Sequence, residues 1–269
     1  GYMFATRLLS GIILVVLAVL IVGTGGSMLF AVNGAISMVG LFELYRVLKI
    51  ERTPLAAIGY LACGAYYGLI WFDGHEYVTL MAIAVLMCLM SFYVFTFPKY
   101  KTEEVTAAFF GVFYVAVMLS YLYQVRQMPD GCYLVWLIFF SSWGCDTCAY
   151  AVGKLIGRKK IFPVLSPKKS LEGCIGGVLG AALIGWLYGC FFVEKAFPDR
   201  RIAWAIAAIC GAGAVMSMVG DLAASAIKRN HDIKDYGKLI PGHGGIMDRF
   251  DSVIMAAPFI FFGLALITG

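Results

Sequence analysis

Leu8-Leu9-Ser10-Gly11-Ile12-Ile13-Leu14-Val15-Val16-Leu17-Ala18-Val19-Leu20-Ile21-Val22-Gly23 carries one hydroxyl and no charge. About 20 mainly apolar residues in a helix cross roughly 30 Å of hydrocarbon, so this stretch reads as a membrane span rather than a core helix. It stops at Gly23-Thr24-Gly25-Gly26-Ser27, and a second apolar run begins at once. That glycine-rich break is the narrowest in the chain, and merging the two runs would invert everything downstream. Further apolar runs follow to the end. Nine are expected, at about 8–23, 27–48, 55–72, 77–96, 105–124, 132–156, 173–193, 202–227 and 250–268. The predicted fold is all-α, a polytopic transmembrane helical bundle.

Composition agrees. Hydrophobic residues make up 61% of the 269 and charged residues 14%, against about 25% charged in a soluble domain. A chain of this balance cannot cover a water-facing surface. With nine spans, 17 of the 21 Lys and Arg fall on the face that also holds the N-terminus, the exceptions being Arg126, Lys195, Arg200 and Arg201. The positive-inside rule makes that face, and the N-terminus, cytoplasmic. Nucleic acid is excluded as an expected partner, because no long basic run is interleaved with stacking aromatics. The eight cysteines are scattered, mostly in apolar stretches, which does not suggest a secreted disulfide framework. No cleavable signal peptide is evident. Residues 1–130 read as N-terminal helices serving packing or a dimer scaffold, and 131–269 as helices carrying the cytoplasmic catalytic loops.

Charges inside spans are expensive and are functional hypotheses by default. Ser142, Asp146, Tyr150 and Lys154 are spaced by four and are expected to form one polar stripe. Asp221, Ser225 and Lys228 form a second. Glu43, three residues before Arg46, reads as a local ion pair. Cys145 and Cys148 resemble a metal pair only as a string; within a span and without a second pair, they read as packing. Gly176-Gly177 with Gly180 is a small-residue helix-packing pattern.

Only loops 157–172 and 228–249 are long enough to carry much chemistry. In the second, Pro241-Gly242 is turn chemistry, and Gly244-Gly245 removes bulk so that backbone N–H groups can approach a phosphate. Asp248 and Asp251 would share a face at the start of the last span. Such carboxylates suit Mg²⁺, which commonly takes one or two of them plus substrate phosphates. Arg249, Lys228 and Lys234 can neutralise phosphate charge. In the first loop Ser166, Lys168, Lys169 and Ser170 precede a span. The lysines are topogenic or bind phosphate, and Ser170 or a neighbour caps the next helix.

Ser225, Lys228-Arg229, Lys234-Asp235, Gly237, Pro241, His243-Gly244-Gly245, Asp248-Arg249 and Asp251 stand at the spacing that marks the phosphatidate cytidylyltransferases, or CDP-diacylglycerol synthases. The chain resembles that family without departure over these 27 positions. The Ser166–Gly173 segment, Asp146 and Asp221 also look like their family counterparts. The likeness covers the C-terminal half; the first 130 residues match only in hydrophobic character.

The resemblance implies that CTP and phosphatidate give CDP-diacylglycerol and pyrophosphate with Mg²⁺. The charge distribution makes the site cytoplasm-facing, and the short loops without a soluble extension point to a bacterial inner membrane. Asp221 and Asp248 would be the principal metal ligands, with Asp251 and Asp146 completing the charge cluster around a second cation. Asp221, Asp248, Lys228 and Arg249 form the expected catalytic set. Lys228, Arg229 and Lys234 would contact the triphosphate, and His243 with Gly244-Gly245 the pyrophosphate leaving group. Lys168, Lys169 and Ser170 would meet the lipid headgroup or the nucleotide. Ser166, Ser225 and Asp235 complete the substrate set. A homodimer is compatible with the resemblance. Two alternatives stay open. A CTP-dependent lipid kinase or other nucleotidyl-lipid transferase would use a similar phosphate site, and an ion-coupled transporter would also place aspartates in spans.

Overall fold

The computed structural model describes residues 2–195 and 201–268; Arg200 and the side chain of Arg201, two of the four expected opposite-face cations, lie outside what it describes. Among the described residues, nine helices are long and apolar enough to cross a membrane. They are α1 (Ala5–Thr24), α2 (Gly26–Val47), α3 (Pro54–Trp71), α4 (His75–Thr96), α5 (Thr102–Gln127), α6 (Gly131–Ile156), α7 (Leu171–Val193), α8 (Ile202–Asn230) and α9 (Ile246–Thr268). Each overlaps one expected span. The doubtful first boundary is real. Gly25 and Gly26 take φ of 64° and 56°, a left-handed conformation that glycine adopts without steric cost and that ends the helical path.

The helices and their adjoining loops form two compact units, Gly1–Ser120 with Ile233–Arg249 and Tyr121–Asp232 with Phe250–Gly269. In the first, α2, α3 and α5 pack around tyrosines. Tyr45 is fully buried and donates its hydroxyl to Ala108 O at 2.5 Å. A Cβ on Gly111 would lie 2.5 Å from the Tyr45 ring, so the glycine makes room for it. Backbone and side-chain polar groups in hydrocarbon must be satisfied internally. Accordingly Asn33 donates to Leu119 O at 2.9 Å, Ser37 and Tyr67 pair at 2.6 Å, and Tyr66 and Ser120 pair at 2.7 Å.

In the second unit α6 and α7 meet through small residues. A Cβ on Gly177 would lie 2.9 Å from Ala149 Cβ and 3.0 Å from Cys145 O, and one on Gly180 would lie 2.5 Å from Cys148 Sγ. Cys145 is buried with Ala181 and Ala214. The two cysteines are therefore packing partners of the glycine stripe, as the sequence suggested.

The expected stripe through Ser142 does not form. Residues Phe140–Gly144 are a π-helical stretch inside α6, which widens the turn and moves residues four apart out of register. Ser142 is fully buried and donates to Ile138 O at 2.7 Å, whereas Asp146 is exposed. α8 is regular from Arg201 to Asn230, so Asp221, Ser225 and Lys228 do share a face.

Candidate active site

The site residues named from sequence fall into two clusters, one in each compact unit. In the second unit three carboxylates converge. Gly220 lets α8 approach α9 closely, since a Cβ there would lie 2.6 Å from Asp251 O. That brings Asp221 beside Asp251, which is 7% exposed and also feels the charges of Asp146 and Lys228. Ser252 donates its backbone N–H to Asp251 Oδ1 at 2.7 Å and its hydroxyl to Asp146 Oδ2 at 3.4 Å. Lys169 forms an ion pair with Asp221. Two like charges beside a buried carboxylate are unfavourable without compensating cations, and Lys169 and Lys228 supply part of that compensation.

Lys169 is delivered by the 157–172 loop, which is folded by its own caps. Ser170 is buried, and its hydroxyl accepts Gly173 N–H at 3.1 Å, making it the N-cap of α7. Glu172 accepts the backbone N–H of Arg158 at 3.0 Å and of Lys159 at 3.2 Å. Lys169 N–H donates to Ser166 O at 3.1 Å, closing the turn over Pro167-Lys168. Lys168 is exposed, and its carbonyl accepts from Lys160 Nζ at 3.2 Å.

In the first unit the loop before α9 is held on α1 and α2. Ile240 N–H donates to Gly244 O at 2.8 Å and His243 N–H to Ile240 O at 3.0 Å. The turn so closed has Gly242 at φ 76° after Pro241, the arrangement of a type II turn. Gly244, at φ 82°, leaves no room for a Cβ, which would lie 2.7 Å from Asp248 Oδ2. Asp248 Oδ2 accepts the N–H of Tyr236 at 2.8 Å and of Gly245 at 2.9 Å. The N–H of Gly245 is thus committed within the loop, and that glycine contributes shape. His243 is partly exposed beside Arg249 and Arg7. Burial first, then those two cations, lower its pKa below the ordinary 6.5, against a raising contact with Pro241 O. Lys234 and Asp235 are exposed on the same loop, and Arg229 is exposed at the end of α8 in the other unit.

Sequence reasoning misread one residue here. Glu43 does not form the expected ion pair with Arg46. It is 3% exposed and accepts the N–H of Ile246 at 3.1 Å and of Met247 at 2.9 Å, the first two residues of α9. Arg46 donates to Tyr236 O at 2.6 Å. The available signal was an acid within an apolar span, masked by a cation at helical spacing.

Among the described residues no three His, Cys, Asp or Glu side chains gather into a self-sufficient metal cage. The donors fit Mg²⁺ nonetheless. They are hard carboxylate oxygens, those of Asp221 and Asp146 lying near Asp251, and this ion keeps water and substrate phosphates among its ligands.

A family model described as the cytidylyltransferase family matches residues 5–267. A phosphatidate cytidylyltransferase of Bacillus subtilis is 31% identical, over 97% of this chain and 97% of its own length. Those of Staphylococcus saprophyticus and Staphylococcus haemolyticus are 29% and 30% identical, each over 94% of this chain and 96% of theirs. With a family-model match over nearly its whole length, on a helical framework that carries the motif without departure, the chain belongs to the cytidylyltransferase family.

Proposed function

We propose that this integral membrane enzyme transfers CMP from CTP to phosphatidate, giving CDP-diacylglycerol and pyrophosphate for phospholipid synthesis. The observation that carries the reading is the unbroken motif from Ser225 to Asp251, in a chain whose relatives along nearly its full length are named for that reaction.

A phosphatidate oxygen attacks the α-phosphorus of CTP, and the bond from that phosphorus to the β-bridging oxygen breaks. The nucleophile is already an anion, so little general-base help is needed. The protein must bring two anions together, which calls for cations and oriented N–H groups. Lys228, Arg229 and Lys234 are assigned to the triphosphate, Arg249 to developing charge, and His243 with Gly244 to the pyrophosphate. Gly245 supports that contact by shape. Lys168 is assigned to the phosphatidate headgroup, and Lys169 to the same anion once it exchanges Asp221 for phosphate. Ser166, Ser225 and Asp235 line the substrate path, and Ser170 acts through its cap of α7.

Asp221 and Asp248 are the proposed principal Mg²⁺ ligands, with Asp251 and Asp146 completing the negative set. Bound there, Mg²⁺ supplies charge neutralisation on the phosphates. The site faces the cytoplasm of a bacterial inner membrane, where one substrate is a lipid and the other is soluble. A homodimer is part of the proposal.

Label at the α-phosphorus of CTP tests this reading. Transfer of α-label to the lipid with release of unlabelled CMP-free pyrophosphate supports it; transfer of γ-label instead would identify a lipid kinase.

A further inference from the structure

We infer that Glu43, with Arg46 one turn along α2, is a positioning residue that fixes the loop and first helical turn presenting Asp248. Its consequence for turnover rests on the reading above; its geometry does not.

The first N–H groups of a helix have no partner inside it. At the start of α9 three such groups are taken by carboxylates. Gly245 N–H goes to Asp248, and those of Ile246 and Met247 go to Glu43. The loop is moulded on the same carboxylate, because a Cβ on either Gly237 or Gly245 would lie 2.5 Å from Glu43 Oε1. Arg46 holds the other end through Tyr236 O at 2.6 Å. Tyr236 and Gly245 are the two residues whose N–H groups orient Asp248 Oδ2. One helix of the N-terminal half therefore sets both donors that aim the aspartate.

The requirement is for a carboxylate, not for bulk. Both Glu43 oxygens accept from backbone donors. A glutamine offers one acceptor and turns an NH₂ toward an N–H. A buried carboxylate is tolerated only when hydrogen-bonded, and the positive end of the α9 dipole favours it here.

Hydrogen exchange of the purified wild-type protein, without added Mg²⁺, needs no variant. Slow exchange at Ile246 and Met247, comparable to the next turn of α9, is expected; rapid exchange there overturns the inference. In Glu43→Gln, exchange across 236–248 should rise at least tenfold, with α3 and α7 unchanged. Turnover per folded enzyme should fall by about 10- to 100-fold and the Mg²⁺ half-saturation should rise, as for other residues that orient a metal ligand. Glu43→Gln that folds with wild-type exchange, turnover and Mg²⁺ response overturns it, as does a variant that loses only folded yield. Arg46→Met, which removes only the Tyr236 contact, should give a smaller loss in the same direction; no change would count against it. Should the wild type fail to use CTP and phosphatidate, the functional reading falls while the exchange result still decides this one.

Discussion

Ser10 Oγ on α1 lies 2.8 Å from His243 Nδ1 and 2.9 Å from Pro241 O. One hydroxyl hydrogen serves only one of these acceptors. Donated to Nδ1, it fixes the tautomer with hydrogen on Nε2, the form that can donate to a phosphate oxygen. Ser10→Ala should therefore lower kcat/KM for CTP by roughly fivefold, the worth of about 1 kcal/mol for one hydrogen bond, in a protein that folds normally. Steady-state kinetics at varied CTP checks it, and an unchanged value would detach His243 from the nucleotide.

His243 should also give the protein a measurable pH response. Its folded pKa lies below its ordinary 6.5. Below that value the unfolded chain binds more protons at this site than the folded chain does, so the contribution is full above it and declines as pH falls toward the folded value. Thermal unfolding between about pH 7.5 and 5.5 should show a steeper loss in the wild type than in His243→Gln. Parallel curves would contradict the burial argument.

Asp221→Asn and Asp248→Asn should both abolish turnover, but with different signatures. Asp248→Asn keeps an oxygen for the Tyr236 and Gly245 N–H groups yet weakens the α9 cap, costing about 1 kcal/mol of stability. Asp221→Asn removes the partner of Lys169 while relieving the repulsion on Asp251, so its unfolding temperature should change less. Activity and thermal unfolding measured on the same preparations separate the two.

Helix packing in the second unit should be intolerant of volume. Gly177→Leu would collide with Ala149 and with the backbone oxygen of Cys145, costing about 1–3 kcal/mol or more. Gly23→Ala, with nothing within 4 Å of the added Cβ, should be silent. Cys148→Ala should keep turnover in both oxidising and reducing buffer, as a packing role requires. Thermal unfolding in detergent reports on the glycines, and activity on the cysteine.

What was legible in the sequence followed the physics that acts locally. Hydropathy alone located the nine spans found among the described residues, because each must cross the same thickness of hydrocarbon. Gly25-Gly26 marked the first break, since glycine tolerates the left-handed turn there. Pro241-Gly242 announced its turn for a like reason. The Ser142 stripe failed because no side-chain pattern in the sequence betrays the π-helical stretch that shifts its register. Glu43 was misread because its partners are backbone N–H groups 203 and 204 residues away, which have no side-chain signature, while Arg46 offered a nearer explanation. Ser170 shows the converse: its place before Leu171 suggested the cap it makes.

The most direct measurement is pyrophosphate release by the purified protein with CTP, phosphatidate and Mg²⁺, with ATP, GTP and UTP in parallel. Release that requires both CTP and phosphatidate is the predicted result. No release with any nucleotide, from protein shown to be folded, would contradict the account.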